Sequence, residues 1–143
     1  MEITAADIRA FGNDERDGVK VRGCQEYATG LLPKEEPIQA FFISREGGHP
    51  DDLFFFTPSY LVRFPEFQKA ISRGAMECCI NSLTYSIIGL KIDAQEKTDF
   101  LAKSLTVEIA MKDTEDIRIH APGATAGRLE QIVQESLIPH LRR

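Results

Sequence analysis

Three cysteines and three histidines are the residues whose chemistry depends most on what stands beside them. Cys24, Cys78 and Cys79 are odd in number and follow no secretory leader, so they do not read as a disulfide framework. Cys78 and Cys79 are adjacent, and neighbours on a strand point to opposite faces, which puts one in a core and one outside. The other reading is a redox or metal site. Zinc usually takes four ligands at CxxC or HxxxH spacing. His49, His120 and His140 have no second histidine or cysteine at i+2 to i+4, so neither a metal nor another cofactor is expected. Nucleophilic catalysis needs a nucleophile, a base and an orienting group within reach of one another. No GxSxG, HExxH or P-loop pattern occurs, and Cys78 or Cys79 would meet His120 only by tertiary coincidence. Pro122 to Gly127 loosely evokes a phosphate loop before a helix, but it lacks the lysine and reads as a strand-to-helix turn.

Cations and exposed apolar residues suggest binding instead. Arg45 and His49 sit on a first hairpin, and Lys69 and Arg73 on a later, longer connection. A phosphorylated headgroup needs several such donors converging on it. Glu46, Asp51 and Asp52 make that hairpin negative, which opposes an anionic ligand; Lys69, Arg73 and Lys91 then read as solvated surface charge. Ile8 and Phe11 near the start, and Phe67 and Ile71 on the long connection, either form exposed docking patches or fold back onto the chain's own core.

The elements that position these residues follow from periodicity. Thr4 can cap a short helix through Ala5 to Phe11 that Gly12 ends, and Asn13 to Gly18 reads as a polar turn. Gly23 to Leu32 has some helical spacing but is interrupted by Gly30 and Pro33. Strand signals then take over: Pro37 to Arg45, Asp52 to Thr57 (an apolar run fit for burial on both faces), Tyr60 to Phe64, and Ala75 to Ile80 with Met76, Cys78 and Ile80 on one side. Ser86 to Asp93 alternates with Ile88, Leu90 and Ile92 inward. Ser104 to Met111 faces Leu105, Val107, Ile109 and Met111 inward, and Asp116 to Ala121 returns with Ile117 and Ile119. Between them, Ala94 to Lys103 reads as a loop. The period then changes to 3.6: Leu129, Ile132, Val133 and Leu137 make one stripe of an amphipathic helix from about Thr125 to Ile138, which Pro139 should stop.

Seven strands and a closing helix fit a mainly β fold on the border between all-β and α+β: a strongly bent antiparallel sheet, or partly open barrel, plugged by the C-terminal amphipathic helix. The boundaries expected are an acidic N-terminal extension over 1–33 and a domain over 34–143. Of the chain's 143 residues, 43 % are apolar and 27 % charged, enough for a real core. The net charge of −5 argues against coating nucleic acid or anionic lipid, and no stretch is apolar enough for a membrane span, so a soluble cytoplasmic protein is expected. Eight acids and five bases lie in the first 36 residues, which leaves 14 acids and 12 bases for the rest. The charge therefore concentrates ahead of the strands.

This order of elements resembles the pleckstrin-homology superfold, and most closely the small bacterial pleckstrin-homology-like domains. The resemblance rests on Leu31-Leu32-Pro33-Lys34-Glu35-Glu36 before the first strand, on Asp52 to Thr57 followed by Tyr60-Leu61-Val62, and on Leu83-Thr84-Tyr85-Ser86 leading into an alternating strand. It covers roughly residues 31–141. The chain departs from the family in having Ser59-Tyr60 where a basic residue often follows the threonine turn, and Thr84 where a proline is common. The resemblance implies a non-catalytic module that acts through protein contacts, with a protein partner or a second copy of itself. A peripheral lipid-binding module is the alternative, and a small enzyme a second one; fold alone does not choose between them.

Overall fold

A computed structural model describes residues 1–72, 77–96 and 103–141 of the chain. Helix α1 (Ala5–Ala10) begins at a full capping box. Thr4 Oγ1 accepts from the Asp7 N–H at 3.2 Å, and Asp7 Oδ2 accepts from the Thr4 N–H at 2.9 Å. Gly12 leaves the helix at φ +78°, and a Cβ there would stand 2.9 Å from Arg45 Nη1. Both the left-handed backbone and the close approach therefore require glycine.

The polar turn expected from Asn13 to Gly18 is instead the first turn of α2 (Glu15–Leu31), capped by the Asp14 side chain, which accepts from Asp17 N–H at 3.0 Å. The ambiguous stretch beyond it belongs to the same helix. Three interior glycines and a weak apolar stripe hide this helix from propensity and periodicity. Its buried face is made of small residues: Gly18, Val21, Cys24 and Ala28. A Cβ on Gly18 would lie 3.4 Å from Ile8, in van der Waals contact where α1 meets α2.

Four strands form the first sheet in sequence order: β1 (Ala40–Ser44), β2 (Asp52–Phe56), β3 (Tyr60–Phe64) and β4 (Cys79–Ser82), all antiparallel. The short helix α3 (Phe67–Ser72) fills the long connection after β3. The fourth strand starts later than its alternation suggests, with Cys78 just ahead of it and Met76 outside the described residues. Cys78 and Cys79 are both half-buried rather than split between core and solvent. A single turn, α4 (Leu83–Ser86), leads to the second sheet: β5 (Ile87–Glu96), β6 (Lys103–Met111) and β7 (Ile117–Ala121). The expected loop from Ala94 to Lys103 is thus partly strand; 97–102 lie outside the described residues.

Opposed residues of paired strands share a face. On one face of the first sheet stand Phe41, Ile43, Leu53, Phe55, Val62 and Phe64; on the other stand Phe42, Phe54, Phe56 and Leu61. All ten are buried, so this sheet needs cover on both sides. Helix α2 covers the first face, where the Tyr27 ring meets Phe64 edge-on at 6.4 Å. The second sheet lies toward the other face, where His120 N–H of β7 donates to Ser44 Oγ of β1 at 2.9 Å. Phe11 closes the β1 edge, with its ring 5.3 Å from Phe41 and 5.1 Å from Phe42. Residues 1–33 thus supply Ile3, Ile8, Phe11, Val21, Cys24 and Ala28 to the same core as the strands. Helix takes as much of the chain as strand does, so the class is α+β with two antiparallel sheets rather than mainly β.

The C-terminal helix forms where its stripe predicts. Leu129, Ile132, Val133 and Leu137 are all buried. It runs as α5 (Gly123–Ile132), widens to a π-helical turn over Val133–Leu137, and resumes as α6 (Ile138–Leu141). Pro139 does not stop it. A proline cannot donate an N–H and its ring crowds the carbonyl four residues back; the wider turn, in which Ile138 N–H reaches Val133 O, accommodates both problems.

Glu36 and Thr57 meet directly. Glu36 Oε2 accepts from Thr57 Oγ1 at 2.8 Å and from Ser59 N–H at 2.9 Å, tying the approach to β1 to the β2–β3 turn. Burial pushes this carboxyl up, and those hydrogen bonds more than offset it, leaving it below the ordinary glutamate range. Leu129→Ala is expected to lower the unfolding free energy by about 2–5 kcal/mol in urea titration; a change under about 0.5 kcal/mol would mean that the helix does not plug the core.

Candidate functional site

The turn after β1 and the turn between β6 and β7 face each other across an open groove of about 500 Å³. Ser44, Glu46, His49, Asp52, Arg63 and Arg118 are among its lining residues. Two arginine clamps set its walls. Arg118 grips Glu46 with two donors, Nε at 3.0 Å and Nη2 at 2.7 Å, and reaches Glu108 with Nη1 at 2.8 Å. Arg63 grips Asp52 with Nε at 3.1 Å and Nη2 at 2.7 Å. The Arg118–Glu46 pair is a two-oxygen fork, the geometrically specific form of ion pair, whereas Arg63 brings both donors to one oxygen, Asp52 Oδ2. Both cations are therefore engaged. Glu115 and Asp116 also line the groove, so four acids stand against two arginines, which disfavours an anionic ligand.

Arg45 does not point at a ligand. Its Nη1 donates to Phe11 O and its Nη2 to Asn13 Oδ1, each at 3.0 Å, while Nε and Nη2 meet Asp51 Oδ2 at 3.3 and 3.0 Å. It ties the exit of α1 to the first hairpin. Of the other cations considered for a headgroup, Lys69 is exposed on α3 and Arg73 lies outside the described residues. The hairpin and the long connection are thus not seen to form one cationic cup.

The expected docking residues turn inward. Ile8, Phe11 and Phe67 are all buried, because α1 and α3 fold onto the sheet they flank; nothing of the Ile71 side chain is described. These three are corrected from interaction surface to core. Phe11 is further held by Arg128 of α5, whose guanidinium lies 4.9 Å from its ring centre and 5.7 Å from that of Phe41. Arg128 also stands 3.6 Å from Asp7, so α5 pins the N-terminal helix directly.

No catalytic constellation forms among the described residues. Burial pushes the Cys24 thiol up to about 12, and burial also raises Cys78, so neither is poised as a thiolate. His120 lies on the second sheet and pairs through Nδ1 with Thr106 Oγ1 at 2.7 Å. Glu46 stands 3.9 Å from that same nitrogen. A relay needs the base and the orienting acid on different ring nitrogens, so Thr106, His120 and Glu46 are not a triad. No three His, Cys, Asp or Glu among the described residues converge to hold a metal ion, and no described helix is long and apolar enough to cross a membrane.

Exposed large apolar side chains include Val19, Tyr27 and Leu31 on α2 and a second set after β3. Tyr85 is 83 % exposed, Ile88 64 %, Ile92 50 % and Ile80 40 %, along β4, α4 and β5. Ile92 shares a face with Val107, as the alternation predicts, but the helix does not cover it. Ile88 sits at a bulge where β5 shifts register against β6. Inward expectations for Ile88 and Ile92 are thus corrected: β5 is an edge strand that outruns its cover. Comparison with family models, with curated proteins and with solved structures finds no match to this chain.

The Arg118 clamp makes stability depend on acid. Hydrogen bonding from Arg118 holds the Glu46 carboxyl below its ordinary value of 4.5, against an opposing push from burial. A carboxyl depressed in the folded state contributes stability that is complete above its unfolded value and lost as pH falls through the folded one. Glu46→Gln is therefore expected to cost about 0.5–1 kcal/mol at pH 7, discounted for exposure, and less at pH 3. Equal costs at both pH values in denaturant titration would mean that the charge of Glu46 is not what the clamp uses.

Proposed function

We propose that this chain is a non-catalytic, pleckstrin-homology-like module that works through protein–protein contacts. The carrying observation is the row of exposed apolar side chains at Ile80, Tyr85, Ile88 and Ile92, in a molecule whose Arg45, Arg63 and Arg118 are each held by a carboxylate. An apolar row of this kind marks a surface that another protein covers. Four strands in one antiparallel sheet, three in a second and a C-terminal helix in the shared core support the pleckstrin-homology-like reading, although the sheets do not close. Engagement of Arg45 by Asp51, Phe11 and Asn13, and the acid excess of the groove, weigh against a phosphorylated lipid headgroup as the ligand. The raised cysteine thiols weigh against a nucleophilic enzyme.

Photo-crosslinking inside the cell tests the proposal. A photoreactive phenylalanine analogue is placed at Tyr85 or Ile88, with exposed Lys34 as the control position. Discrete protein adducts are expected from the two apolar positions and not from Lys34. Absence of adducts at both, together with sedimentation of the chain on phosphoinositide vesicles, would replace the protein reading with the lipid one.

A further inference from the structure

Among the described strands, the free edges are unequal. β1 lies against β7, with Arg45 N–H donating to His120 O at 3.1 Å and Ser44 Oγ accepting from His120 N–H at 2.9 Å. β4 has four residues, too few to template much pairing. β5 has ten residues, Ile87–Glu96, and among the described residues it is bonded to β6 alone. Proteins usually blunt so long an edge with proline or clustered charge. This one has no proline. Its charged residues are Lys91 and Asp93, on either side of the half-exposed Ile92, and Glu96 at its end.

That spacing is self-complementary. Consider a two-fold axis through Ile92, perpendicular to the sheet, that pairs β5 antiparallel with β5 of a second copy. Ile92 then faces the second copy's Ile92, Leu90 faces its Ala94, and Lys91 faces its Asp93. Symmetry repeats the last contact, so two ion pairs form on one face while the isoleucines meet on the other. The nearest registers that keep the same faces are worse. One sets Lys91 against Lys91 and the other Asp93 against Asp93, and like charges directly opposite are destabilising. Lys91 and Asp93 also pair along β6 with Glu108 and Thr106, so the polar face has mixed sign and favours no uniformly charged peptide.

We propose that the chain forms a two-fold dimer by antiparallel pairing of β5 with β5, in the register that sets Lys91 opposite Asp93 and Ile92 on the axis. This deepens the protein-contact reading and rests on it: the partner is a second copy, and the sheet continues as β7-β6-β5-β5-β6-β7. The apolar side of Leu90, Ile92, Val107 and Ile109 then runs unbroken across the axis.

Light scattering and sedimentation equilibrium across protein concentration test it. The full chain is expected to show a dimer mass. Lys91→Asp or Asp93→Lys alone puts like charges opposite at both symmetric positions and should weaken the dimer about tenfold. The double variant Lys91→Asp with Asp93→Lys exchanges the signs and should recover wild-type affinity. Ile92→Lys should leave a monomer. Circular dichroism of each variant checks that the exposed substitutions leave the fold intact. A monomeric wild type, single variants as tight as wild type, or a double variant no tighter than the singles would each overturn the pairing. A monomeric chain that still cross-links another protein through Tyr85 or Ile88 would overturn this dimer and leave the protein-contact reading standing. A monomeric chain with no adduct at either position would overturn both.

Discussion

Strand β2 withdraws four consecutive large side chains, Leu53 to Phe56, from water. Successive residues on a strand point to opposite faces, so no single layer can cover them. One cover is the second sheet and the C-terminal helix; the other is α1 and α2. The small residues on the buried face of α2 follow from this, since a helix seated over Phe55 and Phe64 has little room for bulk. Arg45 and Arg128 follow as well: the first bonds Phe11 O and Asn13, the second stacks on Phe11 and Phe41, and together they hold the N-terminal helices over the sheet.

The same demand for cover determines what the molecule can do. Its polar chemistry is spent on holding elements together: Arg118 joins β7 to the turn after β1, Arg63 joins β3 to β2, and Glu36 joins the approach to β1 to the β2–β3 turn. The helical covers serve the first sheet and the middle of the second. β5, an edge strand that α6 touches without covering, keeps Ile88 and Ile92 in water. The binding surface proposed here is therefore the part of the sheet that the fold itself leaves unfinished, in contrast to the charged groove, whose cations are already neutralised.

Much of the strand order was legible because alternation is a strong local signal. Ser104 to Met111 and Asp116 to Ala121 read directly as β6 and β7, and Leu129 to Leu137 read as a buried helix face. Asp52 to Thr57 even announced its two-sided burial. The helix α2 was not legible, since its glycines and its small buried residues imitate a loop, and only the sheet beneath it gives those residues a reason to be helical. Ile8 and Phe11 could be read either way for the same cause: an apolar pair does not say whether its partner is the same chain or another. Arg118 and Glu46 lie 72 residues apart, and no local pattern links them. Ile92 looked inward because alternation gives a face and not how far the cover on that face extends.

The central claim is that the N-terminal helices are part of the core that the first sheet requires, and native-state hydrogen exchange tests it most directly. Buried amides of α2, at Val21, Cys24 and Ala28, should exchange only through global unfolding, with the same free energy as Phe54 and Phe55 of β2 and the same response to denaturant. If the α2 amides instead exchange through a separate opening several kcal/mol lower, while β2 stays protected, the helices are an accessory and the two-sided requirement of the sheet is met in some other way.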